Sequence, residues 1–181
     1  LAGHLALDIS DWGLINAAAG LKGASRIQSK TAKLRVALAD APGQGVRAEV
    51  DLRELRAPET TLSHMRATLE ADDIFGAARV NFNARSGPGT AAGRSWREGT
   101  ARVSGPLSQL AAALSLKGQV EADLGLTLDA PGRVCRIDRL HARDGVTGLG
   151  LRLNAPLEAS FRSENGGDAL RVRGLDASLS P

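Results

Sequence analysis

Side chains that could act as a nucleophile or as a base are few in this sequence. The three histidines, His4, His64 and His141, stand among ordinary polar neighbours on different predicted strands. The single cysteine, Cys135, alternates with Ile137, which favours a small apolar position in a core over a reactive thiol. Because nucleophilic catalysis needs a base held beside the nucleophile, we expect a protein that is not an enzyme.

Metal and phosphate sites have sequence patterns that do not occur here. Zinc needs clustered Cys or His ligands, and a calcium loop needs regularly spaced oxygen ligands. The acidic residues Glu70, Asp72 and Asp73 are instead typical of a solvated strand end. Residues 87–90 with Gly93 lack the strand, lysine and helix of a phosphate-binding loop and are interpreted as a flexible hairpin turn. We expect no cofactor and no metal.

Basic residues slightly outnumber acidic ones, 23 against 20, with a net charge of +3 and a pI near 9.6. Most arginines have acidic neighbours, as Arg53 has in Asp51 and Glu54, and the chain contains only two Trp, three Phe and no Tyr. Binding of single-stranded nucleic acid usually combines basic with aromatic side chains. The arginines are therefore predicted to form a solvated outer face, and no nucleic-acid partner is expected.

Apolar and polar residues alternate through most of the chain. From Val120 to Leu128 every even position is apolar, and the odd positions are polar or glycine. This period of two predicts half-buried strands. Pro- and Gly-containing turn signals, such as residues 41–43, 130–132 and 165–167, separate these runs. The sequence therefore predicts an all-β fold of about eleven or twelve antiparallel strands.

Three segments depart from simple alternation. Asp11 is suited to cap a short helix near residues 12–19. Residues 106–116 fit either a helix or a strand, and the strand is favoured. The change of parity between Val172 and Leu175 predicts a one-residue β-bulge that would keep the apolar side chains on a single face. No apolar run is long enough to span a bilayer.

The apolar positions are filled mainly by Leu, Ala and Gly, whereas a closed β-sandwich normally fills its interior with bulkier aromatic and β-branched side chains. Two interiors fit this composition, a closed dry core and an open trough. Such a trough would accept acyl chains at roughly 25 cal/mol per Å² of apolar surface removed from water.

Three stretches of the sequence resemble the AsmA-like family of bacterial envelope proteins, which includes TamB and YdbH. They are residues 68–77 (TLEADDIFGA), 116–124 (LKGQVEADL) and 149–157 (LGLRLNAPL). The resemblance implies a long curved antiparallel sheet folded into a U-shaped open groove, often called a β-taco. Residues 1–181 would be a single groove segment excised from a larger protein. That protein would lie in the periplasm of a Gram-negative bacterium and be anchored to the inner membrane by an N-terminal segment outside this sequence.

The function that the resemblance implies is passive transport of phospholipid between the inner and outer membranes. Acyl chains would be the ligand, a C-terminal part outside this sequence would contact an outer-membrane barrel protein, and only absent segments would touch a membrane. We assign the groove-lining residues from the alternating runs, taking in each run the large residues at the apolar positions. They are Leu5, Leu7, Ile9, Leu34, Val36, Leu38, Val50, Leu52, Leu69, Val80, Phe82, Val103, Leu114, Leu116, Val120, Leu124, Leu126, Leu128, Ile137, Leu140, Leu151, Leu153, Phe161, Val172 and Leu179.

Two alternatives belong to other functional classes. A structural β-helix of the adhesin type predicts a regular repeat and no bound lipid. A chaperone-like module in outer-membrane protein assembly predicts client strands that add to an exposed sheet edge.

Overall fold

The described part of the chain is mostly β-strand, joined by turns and short irregular segments. The computed structural model describes residues 3–9, 28–39, 44–73, 76–164 and 167–180, and these ranges contain no helix. The helix predicted near residues 12–19 and the turn at 41–43 lie outside the described residues, as does most of the turn at 165–167. The strands are β1 (Gly3–Ile9), β2 (Thr31–Ala39), β3 (Gly45–Ala57), β4 (Thr60–Asp72), β5 (Arg79–Ser86), β6 (Gly89–Ala91), β7 (Arg94–Pro106), β8 (Gln109–Gly118), β9 (Val120–Asp129), β10 (Val134–Asp144), β11 (Gly150–Leu153), β12 (Leu157–Glu164), β13 (Gly167–Arg173) and β14 (Ala177–Ser180).

All of the strands belong to one antiparallel sheet, which confirms the predicted all-β class. The main path runs β1-β2-β3-β4-β5-β7-β8-β9-β10-β11-β14, with β6 beside β4 and β7, β12 beside β10, and β13 beside β12. The predicted number of strands is wrong, since the sheet has 14. The path is nevertheless eleven strands wide because several positions in the sheet are occupied by two short strands in succession.

Gly87 and Pro88 interrupt a strand and do not form the hairpin turn that the sequence predicts. β5 and β6, on either side of them, both pair with β4 and with β7. Proline has no N–H to donate to the ladder. The register with β4 nevertheless continues, because Gly87 N–H donates to the backbone oxygen of His64 and the oxygen of Pro88 accepts from the N–H of Ser63. The chain reverses at Ala92 and Gly93, whose φ angles of 48° and 74° suit a tight hairpin turn.

The strand bounds test two other predictions made from the periodicity. The predicted strand in residues 106–116 is confirmed, because β7 ends at Pro106 and β8 begins at Gln109. The bulge predicted after Val172 is wrong. There the chain ends β13, which pairs with β12, and begins β14, which pairs with β11. Gly174, with φ of 76°, provides the change of direction.

The sheet has little buried core. Ala32, Leu62 and Ala67 are the buried apolar residues of the described part, and no large side chain there is fully enclosed. The accessible surface is 12064 Å², whereas a compact folded chain of 18.8 kDa would expose about 8,300 Å². The apolar side chains of the sheet are thus largely half-buried or exposed. Among the described residues, no helix has the length and hydropathy needed to span a membrane.

Candidate functional site

The cross-strand register places the apolar side chains on one side of the sheet. Residues that lie directly opposite each other in an antiparallel pair project to the same face. Leu34 lies opposite Leu7 on one side and Val50 on the other, and the relationship continues from strand to strand. One complete row is Leu7, Leu34, Val50, Ala67, Ala84, Ala101, Leu114, Leu124 and Leu140.

Two further rows run parallel to the first, and together these rows define what we call the apolar face. One is Leu5, Val36, Ala48, Leu69, Phe82, Val103, Ala112, Leu126, Ile137 and Leu157. The other is Ala32, Leu52, Met65, Ser86, Gly99, Leu116, Ala122, Ala142, Leu151 and Leu179.

The register brings the sequence-predicted lining residues together on this face. Some predicted residues outside the three rows belong to this face through further pairs, such as Leu38 opposite Gly3 and Val172 opposite Ala159. Others, such as Val120 and Leu153, belong to it because they alternate with row residues in their own strands. For Ile9 and Phe161 the structure gives the backbone register, which pairs them with Ala32 and Leu170. Residues separated by more than 170 positions in the chain therefore belong to one continuous surface.

Large apolar side chains on this face are open to solvent. Leu69, in the middle of the sheet, is 37% exposed, and Leu5 and Leu179, near its two ends, are 61% and 80% exposed. A face of this kind is normally covered by a second layer. Because side chains with this much exposure contact few atoms above them, the described part of the chain does not supply that layer.

A row of alanines, which we call the furrow, lies across the apolar face beside a row of larger side chains. Ala67, Ala84 and Ala101 lie directly opposite one another on β4, β5 and β7. The neighbouring row on the same strands carries the larger Leu69, Phe82 and Val103. The furrow therefore crosses the strands. Only large apolar residues were predicted as lining, although the alanines share their parity in the sequence.

The opposite side of the sheet, which we call the charged face, carries cross-strand ion pairs. Arg66 Nη2 lies 3.0 Å from Asp51 Oδ2, and Arg47 Nη1 lies 3.1 Å from Glu70 Oε1. Arg139 also pairs with Asp123, at 2.6 Å. Since these side chains are largely exposed, each pair contributes at most about 1 kcal/mol. Their main effect is to keep this face in water.

Concave spaces occur on the charged face. Two depressions there have volumes of about 740 and 890 Å³, the first lined by residues such as Lys33, Arg35 and Glu49 and the second by residues such as His64 and Arg97. Both have carboxylates as well as cations on their walls. The apolar face, in contrast, offers a broad contiguous surface of side chains.

The potential nucleophile and bases stay apart. His4, His64 and His141 are exposed on β1, β4 and β10, and Cys135 is a half-buried free thiol in the apolar row of Leu128 and Ala159. Within the described ranges, no three His, Cys, Asp or Glu side chains come together as metal ligands.

Among the described residues, Asp144 is the ionisable group with a perturbed pKa. The backbone N–H of Val146 donates to its Oδ1 at 2.9 Å, and this bond lowers the carboxyl pKa below its ordinary value of 3.8. Partial burial opposes the effect, while Arg94 Nε, which donates to Oδ2 at 2.9 Å, lowers the pKa further. This contact joins the start of β7 to the end of β10, so its role is structural.

Comparison of the chain with protein-family profiles, with curated proteins and with solved structures gives no match.

Proposed function

We propose that this chain is a segment of a passive conduit for phospholipid acyl chains, working in the periplasm between the two membranes of a Gram-negative envelope. The observation that carries the proposal is the apolar face, which is continuous across the sheet and lacks a covering layer in the described residues. The long sheet would curve about this face into a U-shaped groove. Further segments of the protein would supply its attachment to the inner membrane and its contact with an outer-membrane barrel protein.

The size of the apolar face supports a ligand that is long and apolar. Eleven strands spaced about 4.8 Å apart span about 48 Å, and the rows on one face lie about 6.8 Å apart, so the face covers on the order of 1,000 Å². The largest apolar patch on a typical monomer is about 300–600 Å². Acyl chains would cover such a surface, and each buried CH₂ group would contribute about 0.8 kcal/mol.

Sliding is favoured by the composition of the face. Leu, Val and Ala side chains make up most of the face and offer many equivalent dispersion contacts, so a tail loses little energy as it moves from one strand to the next. The furrow of Ala67, Ala84 and Ala101 crosses the strands. It is therefore aligned with the direction of travel that this mechanism requires. No covalent step and no energy source are involved.

A second function, holding unfolded outer-membrane protein strands, is favoured by the sheet edges. Within the described strands, β1 pairs with β2 alone, β13 with β12 alone and β14 with β11 alone. Such edges can accept a client strand by main-chain hydrogen bonding. The remaining alternative, a parallel β-helix scaffold, finds less support, because the strand pairs described here are antiparallel.

Mass spectrometry of organic extracts from the purified protein tests lipid carriage. Wild type is compared with Leu126→Asp, on the apolar face, and with Thr127→Asp, its neighbour on the charged face. We expect phospholipid to co-purify with wild type and Thr127→Asp and to be lost from Leu126→Asp. Circular dichroism confirms that all three proteins are folded.

A second pair of variants separates loss of binding from local damage to β9. Leu114 is 38% exposed on β8, so an aspartate there meets solvent as well as lipid. Ala113 is exposed on the charged face opposite Arg102, where an added carboxylate is accommodated. Loss of lipid from Leu114→Asp and retention by Ala113→Asp would support the proposal. Folded proteins that carry no lipid in any variant would contradict it and favour a scaffold or chaperone function.

A further inference from the structure

In the strands that the structure describes, the charged face contains one pair of like charges that lie directly opposite each other. Arg66 on β4 is opposite Arg85 on β5. In the described strands, every other directly opposite pair drawn from Lys, Arg, Asp and Glu combines opposite charges. These pairs are Asp8–Lys33, Lys33–Asp51, Arg35–Glu49, Arg47–Glu70, Asp51–Arg66, Asp72–Arg79, Glu98–Lys117, Glu121–Arg143, Arg136–Glu158 and Glu158–Arg173.

A third arginine belongs to the same cluster. Arg85 faces Thr100, and Arg102 lies two residues beyond Thr100 on β7, at the next position on the same face. Within the described chain, neither Arg85 nor Arg102 has a carboxylate within 4.0 Å. Arg66 has one such neighbour, Asp51, at 3.0 Å. The cluster therefore carries positive charge that its surroundings only partly balance.

The three arginines line one depression of about 340 Å³. Its wall is completed by Thr68, Asn83, Ala84 and Thr100, of which the two threonines and the asparagine carry side-chain hydrogen-bond donors. Two of these residues lie opposite each other, since Thr68 faces Asn83, and Asn83 in turn faces Arg102. Cations and neutral donors from three adjacent strands thus converge on a single space.

We infer that this depression binds a phosphate group. Like charges directly opposite each other destabilise a sheet, and a bound dianion or monoanion would reverse that penalty. Guanidinium groups bind phosphate oxygens through parallel N–H donors, and hydroxyl and amide groups supply further donors. The acidic neighbours Glu49 and Asp51 lie on the β3 side, whereas Ala113 and Ser115 on the β8 side are uncharged. The anion therefore approaches from the β8 side.

The proposed phosphate site stands apart from lipid carriage, because it occupies the other side of the sheet. Two sources of the phosphate share the same chemistry, a soluble phosphate compound and the headgroup of an anionic lipid. The first probe is inorganic phosphate, titrated against the protein at constant ionic strength set with chloride. The readout is the NMR signal of each arginine Nε–H.

Arg85→Gln is the test variant, and Arg47→Gln is its matched control. Both remove one positive charge from the same face, but Arg47 is paired with Glu49 at 3.0 Å and Glu70 at 3.1 Å. We expect phosphate to shift the signals of Arg66, Arg85 and Arg102 along one binding curve. Arg85→Gln should weaken binding about tenfold, as expected for loss of a charge-assisted hydrogen bond, and Arg47→Gln should leave it within about twofold. Equal weakening by the two variants, or no saturable shift, would overturn the inference.

Co-sedimentation with vesicles separates the two sources. Capture by phosphatidylglycerol vesicles but not by phosphatidylcholine vesicles, lost in Arg85→Gln and kept in Arg47→Gln, assigns the site to a lipid headgroup. Saturable binding of inorganic phosphate without vesicle capture assigns it to a soluble compound. Absence of both overturns the site. Because Arg85→Gln removes a repulsion, it should fold at least as well as wild type, which thermal unfolding in chloride verifies.

Discussion

Leu126 on β9 lies directly opposite Ile137 on β10, and Leu124, two positions earlier in β9, lies opposite Leu140. The step between these two pairs takes three residues in β10 but only two in β9. Asp138 is the extra residue, so β10 has a β-bulge here. The bulge keeps both apolar pairs on the same face although Ile137 and Leu140 differ in parity.

This arrangement predicts that deletion of Asp138 is tolerated. Without it, Ile137 and Leu140 alternate regularly with Arg139 between them, and both stay on the apolar face. We expect the free energy of unfolding to change by less than about 1 kcal/mol, the contribution of an exposed ion pair with Arg136 at 2.7 Å. Deletion of His141 instead moves Ala142 to the charged face and should cost more than about 2 kcal/mol. Urea unfolding measures both, and equal losses would contradict the bulge.

Two glycines should respond oppositely to substitution by alanine. A Cβ at Gly89 would overlap Trp96 Cζ2 and lie 2.7 Å from the backbone oxygen of Thr61, so Gly89→Ala should lower the free energy of unfolding by about 1–3 kcal/mol. At Gly125 the nearest atom, Arg139 Cβ, is 3.8 Å away. Gly125→Ala should therefore stabilise the protein by about 0.4–1 kcal/mol through the unfolded state. A destabilised Gly125→Ala protein would show that this part of β9 is packed differently.

Asp144 should make stability depend on pH in the acid range. Its pKa is lower in the folded protein than in the unfolded chain, first because of the Val146 N–H and then because of Arg94. The ionised carboxylate therefore stabilises the fold above the ordinary pKa of 3.8, and this contribution disappears as pH falls through the lowered value. We expect Asp144→Asn to lower the melting temperature at pH 7, and the difference from wild type to shrink as pH falls below 3.8. A difference that does not shrink on acidification would indicate a role unrelated to charge.

The period of two was enough to predict the fold class and the side of the sheet on which the leucines and valines lie. That property depends only on neighbours in the same strand. Cross-strand neighbours depend on register, which turns and strand breaks set. For this reason the row of Ala67, Ala84 and Ala101 and the opposition of Arg66 to Arg85 could not be predicted. The hairpin turn predicted at Gly87 and Pro88 is wrong for a similar reason. The flanking strands β5 and β6 share both of their partners, and those partners are not visible in the local sequence.

Filling the furrow with an uncharged side chain provides a separate test of lipid passage. Ala84 lies between Ala67 and Ala101, and a phenylalanine there would stand as high as its neighbour row, which contains Phe82. If tails slide along the furrow, Ala84→Phe should retain bound phospholipid, since apolar area increases, but should slow its transfer between donor and acceptor vesicles severalfold.

Ala113→Phe, on the charged face, is the control for the added bulk and should leave transfer unchanged. Fluorescent phospholipid dequenching measures the rates, with extracts of each variant analysed for bound lipid. Equal transfer by Ala84→Phe and wild type would mean that tails do not pass through this row. In that case the tails would follow the neighbouring row, from Leu5 to Leu157, which carries larger side chains. Val103→Ala, which shortens a side chain in that row, should then accelerate lipid transfer.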